Sequence, residues 1–266
     1  MDYLSHIRAR GRGEELNVPT HLHNKILGRK FVESIGGPVP KLLATFSSPE
    51  EIDLDILPDS FVLKPTFSSS SFGVMVLERK EKGFYDYLRR RELSARAILD
   101  EQKSLADKHP AVEHFWMVEE RIVDVESNLI PDDYKFFTFQ GEIGLIHRTI
   151  RDSKKNRHAF FDGDFIPIND PNDKLIAPNR KIIEKVVEQR PEHWERLLNL
   201  AKRISVAVPS PFVRVDMYNT SEGPIFGEFT LVPGTFYYED REVMMPELSF
   251  RLGYLWGKAQ EKLGIS

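Results

Sequence analysis

Acidic and basic side chains alternate with apolar ones in two segments near the end of the chain. Residues 212–218 read FVRVDMY, so a strand there places Arg214 and Asp216 on one face. The run FGEFT likewise places Glu228 and Thr230 on one face. If the strands form a hairpin, Asp216 and Glu228 converge, and two buried carboxylates stay ionised only with a cation between them. Such oxygen ligands predict magnesium, and the alternative is two separate acids that face solvent.

Two further positions have residue types that suit nucleotide binding. Lys64 ends the apolar strand-like run 61–64, and the serine loop 68–71 follows shortly after it. An ammonium group beside loop N–H groups and hydroxyls can hold phosphates. Glu119 and Glu120 end another apolar run, where carboxylates can accept hydrogen bonds from adenine and ribose. The alternatives are an ordinary strand-end lysine and an ordinary acidic sheet edge.

Composition excludes several classes of protein. The 266 residues include 37 Lys and Arg against 41 Asp and Glu, a net charge of −4, which argues against nucleic-acid and anionic-membrane binding. The absence of cysteine excludes disulfides, thiolate nucleophiles and cysteine-bound zinc. No phosphate-binding GxxxxGK[ST] loop or HExxH motif occurs. Without a secretory signal in residues 1–12 or a membrane-length apolar run, we expect a cytoplasmic protein.

Hydrophobic periodicity and turn residues predict an α+β protein dominated by antiparallel hairpins in its second half. The predicted strands are 39–46, 61–64, 74–77, 116–123, 134–139, 143–150, 212–218 and 224–231. The predicted helices are a short one ending before Gly36, one starting at 48–51, a surface helix at 85–108, a long one at 179–207 broken at Pro191, and one at 247–263.

The order of these motifs resembles the ATP-grasp fold, and most of all its branch related to the TupA protein of teichuronopeptide biosynthesis. The resemblance covers roughly residues 20–240. It rests on Asn24-Lys25-x3-Arg29, FVLK at 61–64 with its small-residue loop, VEE at 118–120, DYKF at 133–136, RVDMY at 214–218 and GEFTxxPG at 227–234. It implies two α+β subdomains whose antiparallel sheets grip a nucleotide. It also implies an abbreviated N-terminal region at 1–60, a small lid subdomain at 61–120 and a C-terminal subdomain with the metal site at 121–266.

The resemblance further implies ATP and Mg²⁺ as cofactors, and a role for each matching residue. The nucleotide-binding residues would be Lys25, Lys64, Ser69, Ser70, Ser71, Glu119, Glu120, Ile122 and Glu126, with Asp124 as an alternative to Glu126 for the ribose. The catalytic cations would be Lys135, Arg148 and Arg214, and the metal ligands Asp216, Glu228 and Thr230. The chain departs from the family pattern in having Asn24 for an aspartate, serines for loop glycines, and Thr230 for an asparagine.

The activity implied is ATP-dependent carboxylate–amine ligation. A substrate carboxylate would attack the γ-phosphate to give an acyl phosphate and ADP, and an amine would then displace phosphate to form an amide. The partners would be small-molecule acids and amines, without nucleic acid or membrane. The alternatives are a phosphotransferase of the same fold with a hydroxyl acceptor, and a nucleotide-binding protein without catalysis.

Overall fold

The computed structural model describes residues 1–68, 71–151 and 156–265. The chain divides into two compact units. The larger unit comprises Met1–His23, Leu27–Val39 and Pro131–Ser266, and the smaller unit comprises Asn24–Ile26 and Pro40–Ile130. This division differs from the three consecutive regions that the resemblance implies, because the first residues of the chain pack with the last ones.

Helices and strands alternate along the described residues. The helices are α1 (Tyr3–Gly11), α2 (Lys25–Ser34), α3 (Ala95–Asp107), α4 (Trp194–Ala207), α5 (Gly234–Tyr237) and α6 (Pro246–Leu263). The strands are β1 (Leu42–Phe46), β2 (Ser60–Pro65), β3 (Met75–Lys80), β4 (Gly83–Asp86), β5 (Arg91–Leu93), β6 (Trp116–Glu120), β7 (Asp133–Phe139), β8 (Glu142–Ile150), β9 (Asn156–Phe161), β10 (Ile176–Pro178), β11 (Ile183–Val186), β12 (Val213–Thr220), β13 (Gly223–Thr230) and β14 (Glu242–Met244).

The smaller unit is an antiparallel sheet in the order β1-β6-β2-β3-β4-β5. On β2, Phe61 and Leu63 are fully buried in its core, so Lys64 belongs to the opposite face of the strand. On β6, Trp116 and Val118 are buried in the same core. Alternation along β2 and β6 thus places Lys64 on a polar side of the sheet.

The predicted helix at 85–108 is wrong in its first half, where β4 and β5 form a hairpin before α3 begins. The reason is Asp86, whose fully buried carboxylate accepts a hydrogen bond from the Leu88 N–H at 3.1 Å. Arg89 and Arg91 lie 3.4 and 3.5 Å from the same carboxylate. Charges that resembled a solvated helix face therefore pair with a buried acid. At 48–51 only a short 3₁₀ turn forms, Pro49–Glu51.

The larger unit contains a sheet in the order β11-β9-β8-β7-β12-β13, in which β9 and β11 are parallel and the other pairs antiparallel. A second small sheet pairs β10 with β14. One face of the large sheet packs on α4, and the other packs on α6. The predicted helix at 179–207 is correct only for its second half, because residues 183–186 pair with β9 as an edge strand.

Both predicted hairpins of the larger unit are confirmed. The turn between β7 and β8 is Gln140-Gly141, both with positive φ (48° and 92°), as a two-residue hairpin turn requires. Ser221 and Glu222 connect β12 to β13. These hairpins align β8, β7, β12 and β13, which carry the polar residues singled out above. Among the described residues, no helix has the length and apolar character needed to cross a membrane.

Candidate active site

A row of charged residues crosses the larger unit's sheet. Asp216 on β12 lies directly opposite Glu228 on β13 and opposite Lys135 on β7. Directly paired residues of antiparallel strands project from the same face. Arg214 and Thr230, each two residues away along its strand, pair with each other on that face. The predicted convergence of Asp216 and Glu228 is confirmed.

The Asp216 carboxylate is held by an arginine of its own strand. Arg214 donates from Nε to Oδ1 at 2.6 Å and from Nη2 to Oδ2 at 2.5 Å, and it also donates to the Thr230 hydroxyl at 2.8 Å. The Asp216 side chain is 5% exposed, whereas that of Glu228 is 47% exposed. The expectation of two buried carboxylates is therefore wrong. A guanidinium already balances the buried one, and the other reaches solvent.

These contacts shift the ionisation of both partners. Burial raises the pKa of Asp216 to about 6, against the opposing effect of the Arg214 charge. Burial disfavours the charge of Arg214, but the adjacent Asp216 carboxylate outweighs it and raises the pKa of the guanidinium. At neutral pH Asp216 is thus an ionised acceptor that protonates in mildly acidic solution.

Two further residues on this face were not among the predicted site residues. Asp133, two positions before Lys135 on β7, accepts a hydrogen bond from Lys135 Nζ and lies 3.7 Å from Arg151. Burial opposes the charge of Asp133, but Lys135 and Arg151 lower its pKa. Burial also raises the pKa of Tyr218, with Asp133 and Glu228 adding to the effect. The spacing of two from Lys135 and Asp216 is the sequence signal that identifies both residues.

Arg148 does not join this row. It pairs in register with Tyr134, next to the Lys135–His147 pair, and therefore projects from the opposite face of the sheet. Its guanidinium donates to Asp132 at 2.7 Å and lies 5.4 Å from the centre of the Tyr134 ring. The two ionic side chains are buried. The structure thus separates Arg148 from Lys135 and Arg214, with which it was grouped.

In the smaller unit, Lys64 and Glu119 form an ion pair. Lys64 lies opposite Met117 and Glu119 lies opposite Val62, so both side chains share the polar face of the β2–β6 pair. Lys64 Nζ donates to Glu119 Oε2 at 2.5 Å, and both side chains are mostly buried. Two residues that were assigned separately, to phosphates and to adenine, are therefore one electrostatic unit.

The predicted phosphate loop is described in part. Lys25, the first residue of α2, donates from Nζ to the Ser68 carbonyl at 2.5 Å. Ser71 has φ +63°, and its carbonyl accepts a hydrogen bond from Arg89 at 3.1 Å. Ser69 and Ser70 lie outside the described residues. Lys25 and this loop thus meet within the smaller unit, as their joint assignment to phosphates requires.

The predicted adenine and ribose residues differ in their surroundings. The Glu120 carboxylate accepts from the Lys41 N–H at 2.7 Å, and the Glu120 N–H donates to the Lys41 carbonyl at 2.9 Å. Both groups of Glu120 thus hold β1 to β6, whereas Ile122 lies beyond the end of the strand. Asp124 is buried and accepts hydrogen bonds from the N–H groups of Glu126 and Asn128 at 3.0 and 2.8 Å. Of the two ribose candidates, Glu126 is therefore the exposed one.

The donor set on the larger unit's sheet fits a magnesium ion. Glu228 offers a half-exposed carboxylate whose contact with Arg214 is 3.9 Å long. Asp216 lies directly opposite, with oxygens that have lone pairs beyond those facing Arg214. Carboxylate oxygens are the ligands that Mg²⁺ takes most often. The Thr230 hydroxyl already accepts a hydrogen bond from Arg214, which makes it the weakest of the three predicted ligands.

Comparisons with known proteins agree with this fold. A D-alanine–D-alanine ligase from Bacillus anthracis, complexed with ATP, superposes with a TM-score of 0.52 at 15% identity, covering 91% of this chain and 67% of the ligase. Another structure of D-alanine–D-alanine ligase from B. anthracis gives 0.51 at 17% identity, covering 91% and 68%. A RimK-domain ATP-grasp protein from Sphaerobacter thermophilus DSM 20745 gives 0.50 at 14% identity, covering 90% and 67%.

At these identities the likeness establishes the fold alone. A search among curated protein sequences gives no significant match. The family model described as TupA-like ATPgrasp matches residues 5–245, which is most of the chain and includes both units. The chain therefore belongs to the TupA-like ATP-grasp family.

Proposed function

We propose that this protein is an ATP-dependent ligase that activates a carboxylic acid as an acyl phosphate and joins it to an amine. The observation that carries the proposal is the row formed by Glu228, Asp216 and Lys135, with Arg214 beside it, on one face of a sheet in a chain of the ATP-grasp family. Such a row presents anions for a metal and cations for phosphate within one small area. That combination suits phosphoryl transfer to an acid.

The smaller unit supplies nucleotide-binding groups in this proposal. Lys64 and Lys25 donate to phosphate oxygens, and the Lys64 ammonium is oriented by Glu119 at 2.5 Å. Backbone groups beyond β6, at Arg121 and Ile122, read the adenine edge, because the Glu120 backbone N–H already bonds within the sheet. Glu126 accepts hydrogen bonds from the ribose.

The larger unit supplies the groups that act on the reacting phosphate. Asp216 and Glu228 hold Mg²⁺, which when bound neutralises phosphate charge and withdraws electrons from the phosphorus. Arg214 orients Asp216 and directs positive charge along the same face, and Lys135 does the same from β7. These charges stabilise the negative charge that develops on the transferred phosphoryl group.

The reaction has two balanced steps. An oxygen of the substrate carboxylate attacks the γ-phosphorus, and the bond to the β,γ-bridging oxygen breaks to release ADP. The amine nitrogen then attacks the acyl carbon, the bond from that carbon to the phosphate oxygen breaks, and phosphate and a proton leave. Free phosphate is therefore formed only when an acid and an amine are both present.

A trapping assay tests this proposal. The purified protein with MgATP is screened against pooled carboxylic acids in the presence of hydroxylamine, which converts acyl phosphates to hydroxamates. We expect ADP, phosphate and hydroxamate to form together with an accepted acid. Asp216→Asn and Glu228→Gln should each lower turnover by at least about 100-fold, because each amide keeps the shape but loses the metal-binding charge.

Glu222→Gln, in the exposed turn of the same hairpin, is the matched control and should leave turnover unchanged. Phosphate transferred to a hydroxylated acceptor, with neither hydroxamate nor free phosphate, would instead identify a phosphotransferase. Nucleotide binding with no turnover of any acid or alcohol would identify a non-catalytic binding protein.

A further inference from the structure

Two histidines and a glutamate form a buried cluster within the larger unit. His147 on β8 pairs with Phe160, two residues along β9 from His158, so both imidazoles share one face of the sheet. Glu242 comes from β14, in the other sheet of this unit. One ligand atom from each lies within 4.8 Å of the other two. The three residues are only 1%, 6% and 1% exposed.

Several polar atoms of this cluster have no hydrogen-bond partner. His158 Nδ1 lies 2.7 Å from Glu242 Oε1, which accounts for one atom of each. Both ring nitrogens of His147 and the second oxygen of Glu242 are buried without a partner among the described residues. Buried polar atoms lose hydration, so nearly all of them in folded proteins are paired. Three such atoms around one point indicate a missing ligand.

The charge state of His147 suits a metal ligand. Burial lowers the pKa of His147 well below its ordinary value, and the positive charges of His158, Lys135 and Arg214 lower it further. The imidazole is therefore neutral at physiological pH and has a lone pair to donate. Glu242 contributes the negative charge that a buried cation needs.

We propose that His147, His158 and Glu242 bind one divalent transition-metal ion of the zinc class, at a site distinct from the magnesium ligands Asp216 and Glu228. Imidazole nitrogen favours zinc over magnesium, and two imidazoles with one carboxylate are an established zinc ligand set. Ligand atoms about 2.0–2.2 Å from a tetrahedral ion lie roughly 3.4 Å apart. Side chains within 4.8 Å of one another reach that spacing by small rotations.

The ion would join two parts of the larger unit. His147 and His158 belong to neighbouring strands of the large sheet, whereas Glu242 belongs to the β10–β14 pair. A metal held by all three ties the small sheet to the large one. Because the unfolded chain does not bring these residues together, binding must raise the stability of the folded protein.

Zinc titration without nucleotide tests the proposal separately from the ligase activity. The full chain, stripped with a chelator and dialysed, is titrated with Zn²⁺ by calorimetry and then heated with and without the ion. We expect one Zn²⁺ per chain and a higher unfolding temperature when it is bound. His147→Gln and Glu242→Gln should each weaken binding by more than the roughly 100-fold upper range for losing an outer-shell partner.

Two variants serve as controls, and circular dichroism verifies that each variant is folded. His21→Asn removes an exposed histidine, and Asp216→Asn removes a proposed magnesium ligand. Both should bind Zn²⁺ as the wild type does. If the folded wild type fails to bind Zn²⁺, or binds it no more tightly than folded His147→Gln, the proposal is overturned. Loss of binding in either control would also overturn it, because the ion would then lie elsewhere.

Discussion

Arg214 and Asp216 show how one ion pair changes the expected chemistry at the scale of single residues. From the sequence, Asp216 and Glu228 were two like charges that required a metal between them. In the structure Arg214 contacts both oxygens of Asp216 at 2.5 and 2.6 Å, while Glu228 is half exposed. The protein thus supplies its own counter-charge. Magnesium binding at this site then depends on the available oxygens and their charge, and relief of repulsion is not required.

The raised pKa of Asp216 predicts a defined pH dependence of stability. Its pKa is about 6 when folded, against an ordinary value of 3.8, so the folded state holds this proton to higher pH than the unfolded state. Stability from this group is complete below about pH 4 and is lost as the pH rises through 6. Asp216→Asn does not titrate there. Its free energy of unfolding relative to wild type should therefore rise by about 3 kcal/mol between pH 4 and pH 7.

Urea unfolding of both proteins across that pH range measures the difference. Glu222→Gln provides the control, because its acid is exposed and its difference from wild type should stay flat. A difference for Asp216→Asn that falls with rising pH would contradict the assignment.

The buried ion pair in the smaller unit supports a second prediction at this scale. Lys64→Met should lower the free energy of unfolding by about 2 kcal/mol, because a charge-assisted hydrogen bond to Glu119 is lost from a largely buried site. The double variant Lys64→Met/Glu119→Gln should be less destabilised than the sum of the single variants. Urea denaturation of all four proteins measures the coupling.

Lys103→Met, which removes an exposed ion pair with Glu50 at 3.1 Å, is the matched control and should leave stability unchanged. Strict additivity of the Lys64 and Glu119 changes would show that the two side chains do not interact in solution.

At the scale of elements, tight hairpins set the register that aligns the charged row. The β7–β8 turn holds Gln140 and Gly141 at positive φ, and the Gln140 amide donates to the carbonyls of Val208 and Ser210 at 2.7 and 2.8 Å. The turn is thereby tied to the segment that leads into β12. Since a one-residue slip moves every side chain to the other face, this turn also positions Lys135 beside Asp216.

Gly141→Ala should therefore destabilise the protein. Gly141 has φ +92°, and an added Cβ would lie 3.0 Å from Val206 Cγ2. We expect a loss of about 1–2 kcal/mol in the free energy of unfolding, measured by urea titration. Gly257→Ala in α6, where a Cβ meets no atom within 4 Å, should instead raise it by about 0.5–1 kcal/mol. Equal effects of both substitutions would rule out the turn as the cause.

At the scale of the whole molecule, the first helix is part of the larger unit's core. Arg10 on α1 is 5% exposed and donates to the carbonyls of Phe212 and Leu231 at 2.9 and 3.1 Å. Its guanidinium also lies 4.5 Å from the centre of the Trp256 ring on α6. The region that the resemblance implied to be an abbreviated N-terminal segment thus braces the start of β12 and the end of β13.

Arg10→Met should lower the free energy of unfolding by about 3 kcal/mol, because it leaves buried carbonyls without their donor. Arg8→Met on the same helix removes only an exposed ion pair with Glu239 and should change it by less than about 0.5 kcal/mol. Chemical denaturation of the two variants provides the test. Similar losses in both would mean that α1 contributes through helix propensity alone.

Local patterns in the sequence were sufficient to predict the parts of this protein that depend on near neighbours. Strict alternation and turn residues predicted the β7–β8 and β12–β13 hairpins, and hence the meeting of Asp216 and Glu228. Periodicity likewise predicted α6, and the order of short motifs indicated the family. In each case the deciding interaction lies within one element or between adjacent ones, so the sequence carries it directly.

Only the tertiary structure decided which charges pair and which segments leave a helical pattern. Residues 183–186 become a strand because β9, more than twenty residues earlier, offers a parallel edge. Asp86 draws Arg89 and Arg91 out of an apparent helix face, and Lys64 meets Glu119 across fifty-five positions. Burial and counter-charge depend on residues far apart in the chain. No local pattern encodes them, because they exist only after the sheets have formed.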